Sequence, residues 1–210
     1  MSRDLPIVYL ARHGETARSL SGQHTGLTDL PLTETGERIA LGLGERLKGL
    51  NPVKVFTSPL QRARRTCELA GFSDVADVDP DLVEWNYGEY EGRRTAEARL
   101  KRPDWQLFRD GCPGGESPPQ VSVRAGRIVA RVRAIKGDVL LFSSGHFFPG
   151  VSGALDRYRN TTPRGFVYVE HSQPGRFGLR TRLFPVSGST LERHQSCDPV
   201  RLTTDEKPAG

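Results

Sequence analysis

Ile7-Val8-Tyr9-Leu10-Ala11-Arg12-His13-Gly14-Glu15-Thr16 opens the chain with a short apolar run that ends on a cation, an imidazole and a glycine. A second run of the same form, Val139-Leu140-Leu141-Phe142-Ser143-Ser144-Gly145-His146, lies far downstream. Short runs that are apolar without alternation read as strands buried on both faces. Two such strands, each followed by a histidine, bring both imidazoles to one edge of a parallel sheet, where open α/β folds place their sites. A histidine after a strand is more often structural than catalytic, so its neighbours decide. Arg12 brings a permanent cation to His13, and Gly14 and Gly145 are expected to let a ligand approach the backbone.

Between these runs the pattern alternates. Glu34 to Leu50 carries Ile39, Leu43, Leu47 and Leu50 at helical spacing, with acids early and basic residues late. Val53-Lys54-Val55-Phe56 reads as a strand, and Pro59 to about Ala70 as a helix with Leu60, Ala63 and Cys67 inward. A short strand is expected within Asp74 to Pro80, a charged helical insertion capping the site over Arg93 to Phe108, and a helix from Glu116-Ser117-Pro118-Pro119 with Val121, Ala125, Ile128, Val129 and Val132 inward. Gly22 to Thr33 reads as a loop over the site. Strands alternating with helices imply an α/β fold, a three-layer αβα sandwich on a mainly parallel sheet.

Bulk properties narrow the class. The chain has 210 residues, enough for one domain with a sizeable core, and 36% of them are hydrophobic. Its mean hydropathy is −0.49. No apolar run is long enough to span a bilayer, and Met1-Ser2-Arg3-Asp4 leads directly into the first strand, so no membrane association and a cytoplasmic location are expected. Cys67, Cys112 and Cys197 lack metal-ligand spacing and are expected to be free thiols, with no metal and no cofactor. The net charge of +5 is spread among acids without interleaved aromatics, which favours a small anionic substrate over nucleic acid. Nothing in the sequence fixes the oligomeric state.

Group transfer from a small anionic substrate needs cations around the transferred oxygens, an in-line nucleophile and a proton for the leaving group. Thr57-Ser58-Pro59-Leu60-Gln61-Arg62-Ala63-Arg64-Arg65-Thr66 puts Arg62 at the start of a helix, among amides that favour anions. Arg64 and Arg65 read as a solvated face. Val83-Glu84-Trp85-Asn86-Tyr87-Gly88-Glu89-Tyr90-Glu91-Gly92 holds three carboxylates. Glu84 follows apolar Leu82-Val83 and is the one expected to be desolvated, which moves a carboxyl towards acid catalysis. Glu91 is the second choice.

The Arg12-His13-Gly14 motif, Ser58-Pro59-Leu60-Gln61-Arg62-Ala63 and the Glu84-x-x-Tyr87-Gly88-x-x-Glu91-Gly92 pattern together resemble the histidine phosphatase superfamily, the phosphoglycerate mutase-like proteins. The resemblance implies a phosphohistidine mechanism with His13 as nucleophile, Glu84 as acid and base, and Arg12, Arg62 and His146 around the transferring group, with Gly145 leaving room for it. Ser19-Leu20-Ser21-Gly22-Gln23-His24-Thr25-Gly26-Leu27-Thr28-Asp29-Leu30-Pro31-Leu32-Thr33 resembles the subgroup of sedoheptulose-bisphosphatase-like sugar phosphatases, and Arg18-Ser19 stands where mutases carry Trp-Asn. Ser19, Gln23, His24 and Thr25 are then candidates to bind a sugar phosphate, against the alternative of a polar turn that supports the fold. The implied function is metal-independent hydrolysis of a small phosphorylated metabolite. A phosphoglycerate mutase-type transfer and a catalytically impaired phosphate-binding remnant are the alternatives.

The resemblance covers residues 6 to about 147 and then stops. Relatives continue with an amphipathic helix, whereas Phe148-Pro149-Gly150-Val151-Ser152-Gly153-Ala154-Leu155-Asp156-Arg157 has no continuous apolar stripe. With suitable synonymous codons, one shifted reading frame permits an R-V-x-A-A-R-W-I-G segment over 149–158 and further family segments downstream, in order. We therefore divide the chain into a histidine phosphatase domain, 1–147, and a tail, 148–210, that reads as the product of one inserted base near codons 147 to 149. A divergent native tail is the alternative. Phe166-Val167-Tyr168-Val169-Glu170 is the stretch of the tail with strand character, suited to an exposed sheet edge. The rest is expected to be irregular.

Overall fold

A computed structural model describes residues 7–149 and the strand Gly165–Val169. The strands are β1 (Ile7–Arg12), β2 (Lys54–Thr57), β3 (Ala76–Val78), β4 (Val139–Ser143) and β5 (Gly165–Val169), in the order β3-β2-β4-β1-β5. All neighbours are parallel, with Leu10 opposite Leu141 and Val55 opposite Leu140. The helices are α1 (Ala17–Ser21), α2 (Glu34–Leu47), α3 (Gln61–Leu69), α4 (Thr95–Lys101), α5 (Leu107–Asp110) and α6 (Pro118–Arg133).

Strand periodicity distributes the core over two faces. From β4, Val139 and Leu141 pack with Val8 and Leu10 against Ile128, Val129 and Val132 of α6. Leu140 and Phe142 face the other way, with Val55, towards Leu43, Leu47 and Cys67 of α2 and α3. The result is the expected three-layer arrangement. Buried Cys67 and Cys112 are free thiols whose pKa burial pushes up to about 12. Cys197 lies outside the described residues.

Local departures have local causes. Helix α2 stops at Leu47, short of Leu50, and Gly49 takes a left-handed conformation just beyond it. Helix α3 begins two residues after Pro59, with Leu60 as its N-cap. The insertion is two short helices, α4 and α5, separated by Arg102-Pro103-Asp104-Trp105-Gln106, because proline cannot continue a helix. Helix α1, too short to show a periodic apolar face in the sequence, is capped by Thr16 and Ser19. The tail segment with strand character forms β5 one residue earlier than expected and extends the sheet beside β1, Tyr9 opposite Val167. At the start of the tail residues 147–149 are helical and Phe148 is buried in the core beside Phe147, whereas residues 150–164 and 170–210 lie outside the described residues. Among the described residues no helix is long and apolar enough to cross a membrane.

Candidate active site

His13 leaves the end of β1, held by its N–H to the Ser143 carbonyl at 3.0 Å. Its ring is buried, and Nδ1 lies 2.7 Å from the Gly14 carbonyl oxygen. A carbonyl can only accept, so Nδ1 carries the proton and Nε2 presents its lone pair. Burial, with Arg62 and Arg12 adding repulsion, lowers the His13 pKa to about 3 against the opposing pull of the Gly14 hydrogen bond. The imidazole is therefore neutral at physiological pH.

The glycines flanking this site serve packing. A Cβ on Gly14 would stand 2.4 Å from the Gly36 carbonyl oxygen, so Gly14 lets the loop after β1 meet the start of α2. The Gly14 N–H donates to Thr66 Oγ1 (2.9 Å), which in turn donates to the Arg62 carbonyl (2.7 Å), tying this loop to α3. A Cβ on Gly145 would meet Arg12 Nε at 3.0 Å; the room it leaves is for the Arg12 guanidinium.

Arg62 is fully buried on the second residue of α3. Its terminal nitrogens donate to the carbonyls of Thr28 (2.9 Å), Gly26 (2.8 Å) and Thr25 (3.2 Å), so the cation first organises the loop above the site. Among the described residues, buried Arg62 Nε meets no hydrogen-bond partner, nor does Ser144 Oγ beside Gly145. Burial lowers the Arg62 pKa, opposed most by the charge of Glu84. Arg64 is exposed and Arg65 pairs with Glu37 and Glu68, as expected of a solvated face.

Glu84 is buried, 4% exposed, as its apolar antecedents imply. One carboxylate oxygen accepts the Trp85 N–H (2.8 Å) and the other the His146 N–H (3.0 Å). The segment carrying it is pinned by Arg124, which donates to the carbonyls of Asp81 (2.8 Å), Val83 (2.6 Å) and Glu84 (3.3 Å) and pairs with Glu116 at 2.8 Å. Sequence reasoning missed Arg124, although a cation three residues after Val121 on the apolar face of α6 was the available signal. Glu91 does something else: it accepts from Arg18 (2.8 Å) and from the Gly26 N–H (2.9 Å) and clamps the loop.

The four loop candidates divide. Ser19 Oγ accepts from Thr16 N–H at 2.8 Å and donates to the Thr16 carbonyl, completing the cap of α1. Gln23 accepts from Ser21 Oγ (2.6 Å) and donates to the Gly92 carbonyl (2.7 Å). Thr25 supplies its carbonyl to Arg62. These three hold the loop, and only His24 joins the aromatic cluster beside the site. Its ring stacks on Tyr87 at 4.6 Å, with Trp105 edge-on at 5.8 Å. His146 completes that wall, with ring centroids 6.0 Å from those of His24, Tyr87 and half-exposed Phe108, and with Nδ1 2.5 Å from the Tyr87 hydroxyl. Among the described residues no group of three or more His, Cys, Asp or Glu is placed to hold a metal.

His13, Arg12, Arg62, Glu84 and His146 gather at one edge of the parallel sheet of an α/β protein, and the chain belongs to the histidine phosphatase superfamily (branch 1), whose family model matches residues 8–173. That match runs past residue 147 and through β5. The chain is 38% identical over 174 residues to sedoheptulose 1,7-bisphosphatase of Saccharomyces cerevisiae, covering 67% of this chain and 64% of that protein. It is 45% identical over 143 residues to an acid phosphatase of Mycobacterium tuberculosis, covering 66% of this chain and 70% of the relative. The solved structure of an open reading frame from Mycobacterium tuberculosis superposes with a TM-score of 0.64 at 41% identity, covering 73% of this chain and 79% of that one. The chain thus spans just under two thirds of the yeast relative.

Proposed function

We propose that the protein hydrolyses small phosphomonoesters through a phosphohistidine on His13 without a metal ion. The observation that carries this reading is the state of His13: buried, neutral, with Nδ1–H held by Gly14 and two arginines acting on it. An imidazole in that tautomer is a nucleophile at Nε2, and the arginines supply the charge that a metal would otherwise bring to the phosphoryl oxygens. Nε2 attacks phosphorus, the P–O bond breaks, and the departing alkoxide takes a proton from Glu84. Water then attacks the phosphohistidine, giving its proton to the Glu84 carboxylate as the P–N bond breaks and inorganic phosphate leaves. Throughout, Nδ1–H stays on the Gly14 carbonyl.

Two backbone N–H groups fix the position of the Glu84 carboxylate beside His146, which sets where it exchanges the proton. Half-exposed Phe108, beside His146, offers a ring face to the leaving group. Such a face suits the C–H surfaces of a sugar, in line with the sugar-bisphosphatase relative. Ser19 and Gln23 are left out of the substrate contacts because their polar groups are already used within the loop.

Acid-labile, alkali-stable phosphoenzyme trapped from an aryl phosphate tests the proposal. It should form in EDTA with the full chain and disappear in His13→Ala. Activity abolished by EDTA and restored by Mg²⁺ overturns the mechanism.

A further inference from the structure

We infer that Tyr87 is a positioning residue that holds His146 as the Nε2–H tautomer, so that a neutral imidazole offers a ring N–H to a phosphoryl oxygen. The two residues are 59 apart in sequence and meet hydroxyl to Nδ1 at 2.5 Å. A protonated phenol has one hydrogen to give. Among the described residues the Tyr87 hydroxyl has His146 as its hydrogen-bond partner, so donation to Nδ1 satisfies it, whereas the reverse polarity strands a buried proton. Burial and the charges of Glu84 and Glu91 raise the Tyr87 pKa far above its ordinary value, which keeps that proton in place at any working pH.

The phenol cannot swing away. It is 1% exposed, stacks on His24, and lies against Gly26, where a Cβ would come within 2.9 Å of the ring. His146 is fixed from the other side, since its backbone N–H is given to Glu84. With Nδ1 accepting, the proton resides on Nε2, and the exposed His146 side chain can present it outward.

The site then holds its two histidines in opposite tautomers. A carbonyl at Nδ1 leaves His13 bare at Nε2, as a nucleophile must be; a hydroxyl at Nδ1 leaves His146 protonated at Nε2, as an oxygen-binding donor must be. Only the identity of the oxygen that receives the His146 N–H rests on the phosphatase reading.

The test uses the full chain labelled with ¹⁵N-histidine, without ligand. Long-range ¹H–¹⁵N spectra should place the His146 proton on Nε2 and the His13 proton on Nδ1. In Tyr87→Phe, which keeps the stacked ring, His146 should become a mixture of tautomers while His13 is unchanged. The same variant should lose on the order of tenfold in kcat, the loss of one hydrogen bond, with KM nearly constant and equal losses on aryl and alkyl phosphates. A wild-type His146 protonated on Nδ1 overturns the inference whether or not the variant folds, as does an unchanged His146 spectrum in Tyr87→Phe. Failure to trap phosphoenzyme with the expected tautomers present would overturn the phosphatase reading instead.

Discussion

Acidification should expose the cost of burying His13. The unfolded chain protonates this imidazole near the ordinary value of 6.5, whereas the folded chain holds it neutral down to about 3. Between these limits the unfolded state binds more protons, so the contribution of His13 to stability falls as pH falls, from 6.5 towards 3. At pH 5 the unfolded side chain has gained about 2 kcal/mol from protonation and at pH 7 only about 0.2 kcal/mol. Replacing His13 by Asn removes the titration and leaves the other histidines in place, so His24, also lowered by burial, cancels in the comparison. Urea denaturation followed by the fluorescence of Trp85 and Trp105, both buried, reads the effect. With a urea slope of ~2 kcal/mol/M, the wild-type midpoint should fall about 1 M further than that of His13→Asn between pH 7 and pH 5. Equal falls in the two proteins would refute the claim that His13 is held neutral by its surroundings.

Glu84→Gln should slow alkyl phosphates about 10²–10⁴-fold and aryl phosphates far less, because a phenolate leaves without a proton. Steady-state rates on a matched pair decide it, and equal losses remove Glu84 as the acid. For the tail we propose that residues after about 148 are out of frame, so DNA read across codons 140 to 160 in all frames should show the family helix in the shifted frame. A chain with the extra base removed should melt higher and turn over faster; one no more stable or active would leave the tail a divergent native segment.

Much of the site was legible because its signals are local. An unbroken apolar run followed by Arg12-His13 fixes both the strand and the place of the imidazole at its end, and the same logic places His146 after β4. Leu82-Val83 foretells the burial of Glu84, and Arg62 at the start of α3 follows from the spacing of Leu60, Ala63 and Cys67. Tertiary structure decided what each group does with its hydrogen bonds, because the partners lie far apart along the chain and no periodicity links them. Arg62 divides its donors among loop carbonyls 34 to 37 residues away. Ser19 and Gln23, polar and well placed in the sequence, are consumed by the loop they belong to, while Gly14 and Gly145 make room for Gly36 and Arg12. The opposite tautomers of the two histidines depend on whether a carbonyl or a phenol arrives at Nδ1. The sequence alone determines that both imidazoles reach the sheet edge, and the fold determines which nitrogen of each carries the proton.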